Sequence, residues 1–255
     1  MNSRLLLLPL GIVLAATAVH AQLLNETFTY SAGDLTTASS GAWVAHSSVA
    51  SNPVQVSGSG AASLTGGSGA REDVNRSIGT SFSDGTVWAS FTLDLSGGTI
   101  AANGVSSYFL HFSNGGTSNF RGRVFLGSAG DTSLFKLGIE NDAVDGDATV
   151  SFSGNLDRST PHSVSVAYDL DTRTSKLWVD TATSNSPTVQ DTVAATAAAV
   201  SAVALRQGGT ATTGAFSGLQ IDNLVVTHTA VPEPHEWAAV AGVGLMAFAI
   251  WRRRR

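Results

Sequence analysis

The chain has 255 residues, 14 basic and 19 acidic side chains, 27 glycines and no cysteine. Without cysteine there are neither disulfides nor thiolate metal sites, so stability has to come from an ordinary apolar core. Between the two termini nine basic residues stand against seventeen acidic ones, a net charge of about −8; an acidic body with no basic cluster excludes nucleic acid and anionic membrane surfaces as partners.

Met1 to Arg4 forms a short positive segment, and Leu5 to Ala18 an apolar run broken by Pro9 and Gly11. Val19-His20-Ala21 supplies small residues before a cleavage point after Ala21. The pattern predicts a secretory signal peptide over residues 1–21, handled by the secretion machinery and signal peptidase, with the mature chain starting at Gln22. Residues 22–230 are long enough to form one domain with its own core.

Within that body, period-two alternation dominates. Val87, Ala89, Phe91, Leu93 and Leu95 alternate with Ser90, Thr92 and Asp94, and Val164, Val166, Tyr168 and Leu170 with Ser163, Ser165 and Asp169. These phases predict two half-buried strands with the apolar sets facing the core. Strands are also predicted at Tyr108–Phe112, Val124–Leu126, Leu134–Ile139, Thr149–Phe152, Leu177–Val179 and Leu219–Thr227. Turn dipeptides punctuate them, among them Gly97-Gly98, Asn103-Gly104, Gly115-Gly116, Asp145-Gly146 and Gly208-Gly209. About a dozen short strands at such spacing mean an all-β, two-sheet antiparallel sandwich. Val193–Leu205 is rich in alanine, and propensity alone favours helix there. It lacks an apolar stripe at helical period, however, so an irregular loop or helical turn is expected first and a strand over Val200–Arg206.

Candidate chemistry is sparse. Hydrolysis of a glycosidic bond needs two carboxylates facing one sugar. The best pair is Glu140 with Asp142, at the end of a strand and the start of a loop; a solvated hairpin end is the plainer reading, and no catalytic residue is assigned. Asp142, Asp145 and Asp147 could supply part of a calcium shell, the alternative being an ordinary acidic turn. Asp169-Leu170-Asp171-Thr172 reads as a hairpin turn. His46, His111, His162 and His228 lack the short spacing of a zinc pair, and His111 reads as a half-buried strand residue. Trp88 and Trp178 are out of phase with their strands' main apolar sets. One or both are therefore candidates for outward-facing rings that stack on sugars, the alternative being that Trp178 packs under an edge loop or that both faces of the strand are buried.

The C-terminus carries Pro232-Glu233-Pro234, then fifteen uncharged residues from Trp237 to Trp251, then Arg252, Arg253, Arg254 and Arg255. A helix over 237–251 would be about 22 Å long, short of the roughly 30 Å hydrocarbon core but able to span it with thinning and snorkelling. The arginines would stay in the cytoplasm and the body outside the inner membrane.

This tail, Val231 to Arg255, resembles the PEP-CTERM sorting signal of bacterial surface and exopolysaccharide-associated proteins, having motif, span and arginine cluster in order; His235-Glu236 departs from its usual small or apolar residues. The resemblance implies an exosortase as partner, which would cut near Pro232-Glu233-Pro234 and remove the helix. Leu24 to Gly33 is similar to the opening strand of many such proteins. Pro161 to Asp169 with Lys176 to Asp180, and Leu219 to Val226, look like a hairpin and closing strand of concanavalin A-like or laminin-G-like domains. That likeness implies a jelly-roll sandwich and no particular activity. The expectation is an exported surface or matrix protein that is not an enzyme, with a structural or adhesive sandwich; the alternative is a carbohydrate-binding module, with calcium or without, for extracellular polysaccharide, or, further off, a glycan-active enzyme.

Overall fold

The computed structural model describes residues 20–67, 69–100, 107–141, 149–208 and 216–229. Residues His20–Thr229 cluster as one compact unit. Most of the signal peptide, the PEP-CTERM-like tail with its 237–251 span, and Asp142, Asp145 and Asp147 lie outside the described residues. Among the described residues, no helix is long and apolar enough to cross a membrane. The only helix there is the four-residue α1 (Leu35–Ala38).

The described chain is all-β, in two antiparallel sheets. Sheet A runs in space through β16 (Val189–Asp191), β15 (Thr174–Val179), β14 (His162–Asp169), β7 (Thr86–Asp94), β18 (Phe216–Thr229), β5 (Ala62–Gly66), β4 (Gln55–Val56) and β2 (Gly33–Asp34). β1 (His20–Glu26) and β8 (Thr99–Ile100) also pair with β18. Sheet B runs through β12 (Ser151–Phe152), β11 (Leu134–Glu140), β10 (Arg121–Ser128), β9 (Ser107–Ser113), β17 (Val200–Leu205), β6 (Asp73–Phe82) and β3 (Val44–Ser47), with β13 (Leu156–Asp157) on β11.

One apolar core fills the space between the sheets. Leu64, Val87, Phe91, Val166 and Leu177 from sheet A meet Val74, Phe109, Phe112, Leu137 and Val203 from sheet B. The expected phases hold: Val87, Ala89, Phe91, Leu93 and Leu95, with Val164, Val166 and Tyr168, are all buried. Their alternate neighbours point away because successive strand side chains take opposite faces.

Two strands depart from strict alternation. In β9, Phe109 and Leu110 both enter the core, and the β9–β10 register slips between Val124 and Phe125. This bulge carries Tyr108 and His111 to the far face of sheet B. In β18 the register slips between Asp222 and Val225, where Asn223 has φ +52°.

The alanine-rich stretch forms no helix. Residues 193–199 are irregular and β17 follows. The Thr196 carbonyl accepts from Arg121 Nε (3.0 Å) and Nη2 (2.8 Å), while the Ala195 N–H donates to the Arg173 carbonyl (2.9 Å). Tertiary partners take the backbone groups that a helix would need.

Candidate functional site

On the outer face of sheet A, Trp88 of β7 lies opposite Ala167 of β14, which lies opposite Lys176 of β15. Trp178 sits two residues along β15, opposite Ser165. Ala167 is too small to keep the indoles apart, so they converge with centroids 5.3 Å apart and planes tilted by 31°. A cavity of about 290 Å³ opens beside them, bounded by Asp169, Lys176, Asn185 and Pro187 as well as the two rings.

The rings are not equivalent. Trp178 is buried under the loop after β15, its Nε1 donating to the Asn185 carbonyl at 3.0 Å. Asn185 Nδ2 in turn donates to Thr181 Oγ1 (2.8 Å), and Thr188 Oγ1 accepts from the Val179 N–H (2.9 Å). Trp88 is half-buried and keeps part of its ring open to the groove. Both tryptophans thus occupy the outer face, but Trp178 is a wall held by its loop rather than an open stacking platform. The groove combines an indole face with a cation, an amide and hydroxyls, the mix that grips a small polar ring. Its size is at the lower end of ligand pockets, roughly 300–1,000 Å³.

The outer face of sheet B carries a second grouping. His46 of β3 and His111 of β9 are 65 positions apart in sequence, yet their rings stand 5.9 Å apart, edge to face. Phe120 lies 4.1 Å from His111, and Tyr108 5.6 Å from it. Arg206 stacks over Tyr108 at 4.0 Å, with Arg123 at 5.3 Å from the same ring. His111 is fully buried, and neither of its ring nitrogens has a hydrogen-bond partner. Burial holds its pKa well below 6.5, with His46, Arg123 and Arg206 adding repulsion in the same direction. Burial also lowers His46; Asp73 opposes that and Arg206 reinforces it.

The expectation of a half-buried His111 is therefore corrected: it is fully buried, with His46 as a ring neighbour. Strand order β3–β6–β17–β9 joins the two histidines, and the β9 bulge seals His111 between Tyr108 and Phe120. Nothing local in the sequence gives that order. His162 and His228 have structural partners instead: His162 Nδ1 meets Asp180 Oδ2 at 2.6 Å, and His228 Nε2 meets the Asp84 carbonyl at 2.9 Å.

Of the other candidates, Glu140 is half-buried at the end of β11, opposite Arg123 in the β10–β11 register. Its proposed partner Asp142 and the calcium set Asp142, Asp145 and Asp147 lie outside the described residues. No group of three His, Cys, Asp or Glu among the described residues could hold a metal ion. Asp169 does form a hairpin turn, its Oδ1 accepting from the N–H groups of Asp171 (3.0 Å) and Thr172 (2.8 Å).

No family model matches the chain. No curated protein matches it either. Among solved structures it is similar to a sialidase, at 14% identity and a TM-score of 0.51, over 81% of this chain and 19% of that one. It thus spans about a fifth of the sialidase's length. It is also similar to the CBM2 module of the evolved Dit of Lactobacillus casei BL23 phage J-1, at 8% identity and a TM-score of 0.51, over 86% of this chain and 100% of that module. The fold is a two-sheet antiparallel β-sandwich. At these identities the likeness shows the fold alone, and it is consistent with the expected jelly roll.

Proposed function

We propose that this is an exported surface or matrix protein whose β-sandwich binds a neutral sugar ring in the Trp88–Trp178 groove and performs no chemistry on it. The groove itself carries this reading: a partly open indole backed by a fixed second indole, with Lys176 and Asn185 at its rim. The groove's carboxylate, Asp169, already accepts two backbone N–H groups through Oδ1. Hydrolysis by the usual route needs two facing carboxylates, and the residues lining this groove include one.

Export through the signal peptide, transient anchoring by the tail and processing by an exosortase belong to the same proposal. They rest on the residue pattern at both ends of the chain. Mass spectrometry of the mature C-terminus tests the processing step; an intact Arg252–Arg255 cluster on the surface-exposed protein would exclude it.

A glycan array, run with calcium and with chelator, tests the binding step. A neutral glycan should be retained, and Trp88→Ala should weaken it at least about tenfold, since loss of one ring–sugar contact removes on the order of 1.4 kcal/mol. Trp178→Ala is a poorer probe. It empties a buried site and costs about 3–5 kcal/mol of stability. Unchanged binding by Trp88→Ala would remove the groove from the function.

A further inference from the structure

We propose that the outer face of sheet B holds a second binding site, for a uronic-acid residue of an acidic saccharide, with the carboxylate seated beside His111 and the guanidiniums of Arg206 and Arg123.

The starting point is an anomaly. A fully buried imidazole with both nitrogens lacking a partner costs free energy, and such groups are few in folded proteins. His111 is one. What covers it is Phe120, 4.1 Å away and itself half-buried, at the end of an exposed loop over residues 114–119. That loop crosses to β6, where Asn75 Nδ2 donates to the Gly115 carbonyl at 3.3 Å. Gly115 has φ +85°, a left-handed turn that glycine adopts without strain. The cover is a short polar loop with one aromatic foot, and lifting the foot uncovers a ring with two unmet hydrogen-bonding positions.

The charges select the ligand. At His111 the neighbouring titratable groups are His46, Arg123 and Arg206, every one of them repelling a proton. Each of these groups, when charged, disfavours a cation and favours an anion at that point. Two acids neighbour these groups, and Asp73 lies near enough to His46 to favour its proton. Glu140 is opposite Arg123 across β10–β11. Asp73 is held by Ser47 Oγ (2.8 Å) and the N–H groups of Gln207 (2.8 Å) and Gly208 (3.0 Å), on the β3 side. An anion beside His111 is favoured by Arg123 and by Arg206, whose guanidinium is fixed over Tyr108 with Nη1 3.4 Å from both Ser107 Oγ and the Tyr108 carbonyl. Arginine with a carboxylate is a strong, directional pair. The rings of Tyr108 and His46, 5.6 and 5.9 Å from that of His111, border the same spot and suit a sugar ring more than a small free anion.

Calorimetry on the full chain at low salt tests this with a galacturonate oligomer, its methyl ester and free acetate as probes. The free-acid oligomer should bind, the ester at least about tenfold more weakly, and acetate undetectably. Arg206→Gln should lower affinity at least tenfold, with Arg206→Lys as the second variant should Gln impair folding. Phe120→Gly should raise affinity, because the ligand no longer displaces the ring. Trp88→Ala should leave acid-oligomer binding unchanged, so failure here and failure of the groove on sheet A are read separately. Absence of binding, equal binding of acid and ester, binding of acetate as strong as the oligomer, or indifference to both Arg206 variants would each overturn the proposal.

Discussion

His111 shows how one buried side chain couples this fold to pH. Its folded pKa is depressed, whereas in the unfolded chain it returns to about 6.5. As pH falls below 6.5 the unfolded state takes up a proton that the folded state refuses, so stability is full above that point and declines below it. His46 is shifted in the same direction. Asp131 and Asp157 also lose stability toward acid, their pKa values being lowered by hydrogen bonds from Ser133 and Ser159, but only below the ordinary carboxylate value of 3.8. The two windows are separable. Thermal melts should show Tm falling between pH 7 and pH 5, and His111→Phe should flatten that fall while leaving the acid limb below pH 4 in place. An unchanged slope in the variant would mean that His111 is solvated rather than sealed.

Glu26 is the residue-scale counterpart on the structural side. It is buried, and it accepts from the Phe28 N–H (2.8 Å), Tyr30 Oη (2.8 Å) and Trp43 Nε1 (3.0 Å), with Arg76 Nη1 at 3.2 Å. A carboxylate with four donors is fully compensated, and removing it leaves Arg76 and the Trp43 indole without that partner. Glu26→Ala should cost about 3–5 kcal/mol by the usual penalty for breaking a buried pair. Chemical denaturation measures this, and a loss below about 1 kcal/mol would show that water replaces the carboxylate.

At the scale of elements, period two was readable where one face is continuously apolar. β7 and β14 carry buried apolar residues at alternate positions, Val87 to Leu93 and Val164 to Tyr168, and both emerge with the expected phase. Val166 sits between Ala89 and Leu177 in adjacent strands and is completely buried. Val166→Asp would place an unpaired carboxylate there at a cost of several kcal/mol, comparable with a typical domain's whole stability of roughly 5–15 kcal/mol. It should abolish folding as seen by circular dichroism, whereas Ser165→Asp, on the outer face, should stay folded. A soluble, cooperatively melting Val166→Asp protein would mean that the strand phase is wrong. β6 was not readable from sequence, because only Val74 and Ile78 of Asp73–Phe82 are buried in the core, Phe82 packs at its margin, and Gly79 interrupts the pattern. β3 is an edge strand with Val44 exposed, which inverts the usual cue. The outward phase of Trp88 and Trp178 was readable from their strands, with a loop over Trp178 as the alternative, but their pairing across Ala167 was not. The His46–His111 grouping depended on sheet order and a bulge, which are tertiary facts with no local signature.

For the molecule as a whole, the decisive division is between the sandwich and the chain ends. His20–Thr229 forms a compact unit by itself. β1 and β18 pair along its boundary, from His20↔Thr229 to Glu26↔Leu224. Cleavage after Ala21 would remove the first two residues of β1 and leave the pairs from Gln22↔Thr227 onward, so a mature chain starting at Gln22 retains the strand. Thr229 is the last residue of β18, so a deletion starting at Val231 leaves the strand whole. The proposed sorting role of the tail therefore makes a distinct prediction. Deleting Val231 to Arg255 should leave Tm within a few degrees of the full chain, since no strand or core residue of the sandwich is removed. The same deletion should move the exported protein from the membrane fraction into the medium, because the arginine stop and the apolar run go together. Fractionation and a melt on the secreted product measure both. A truncated protein that misfolds would make the tail part of the domain, and one that stays in the membrane fraction would place the anchor elsewhere.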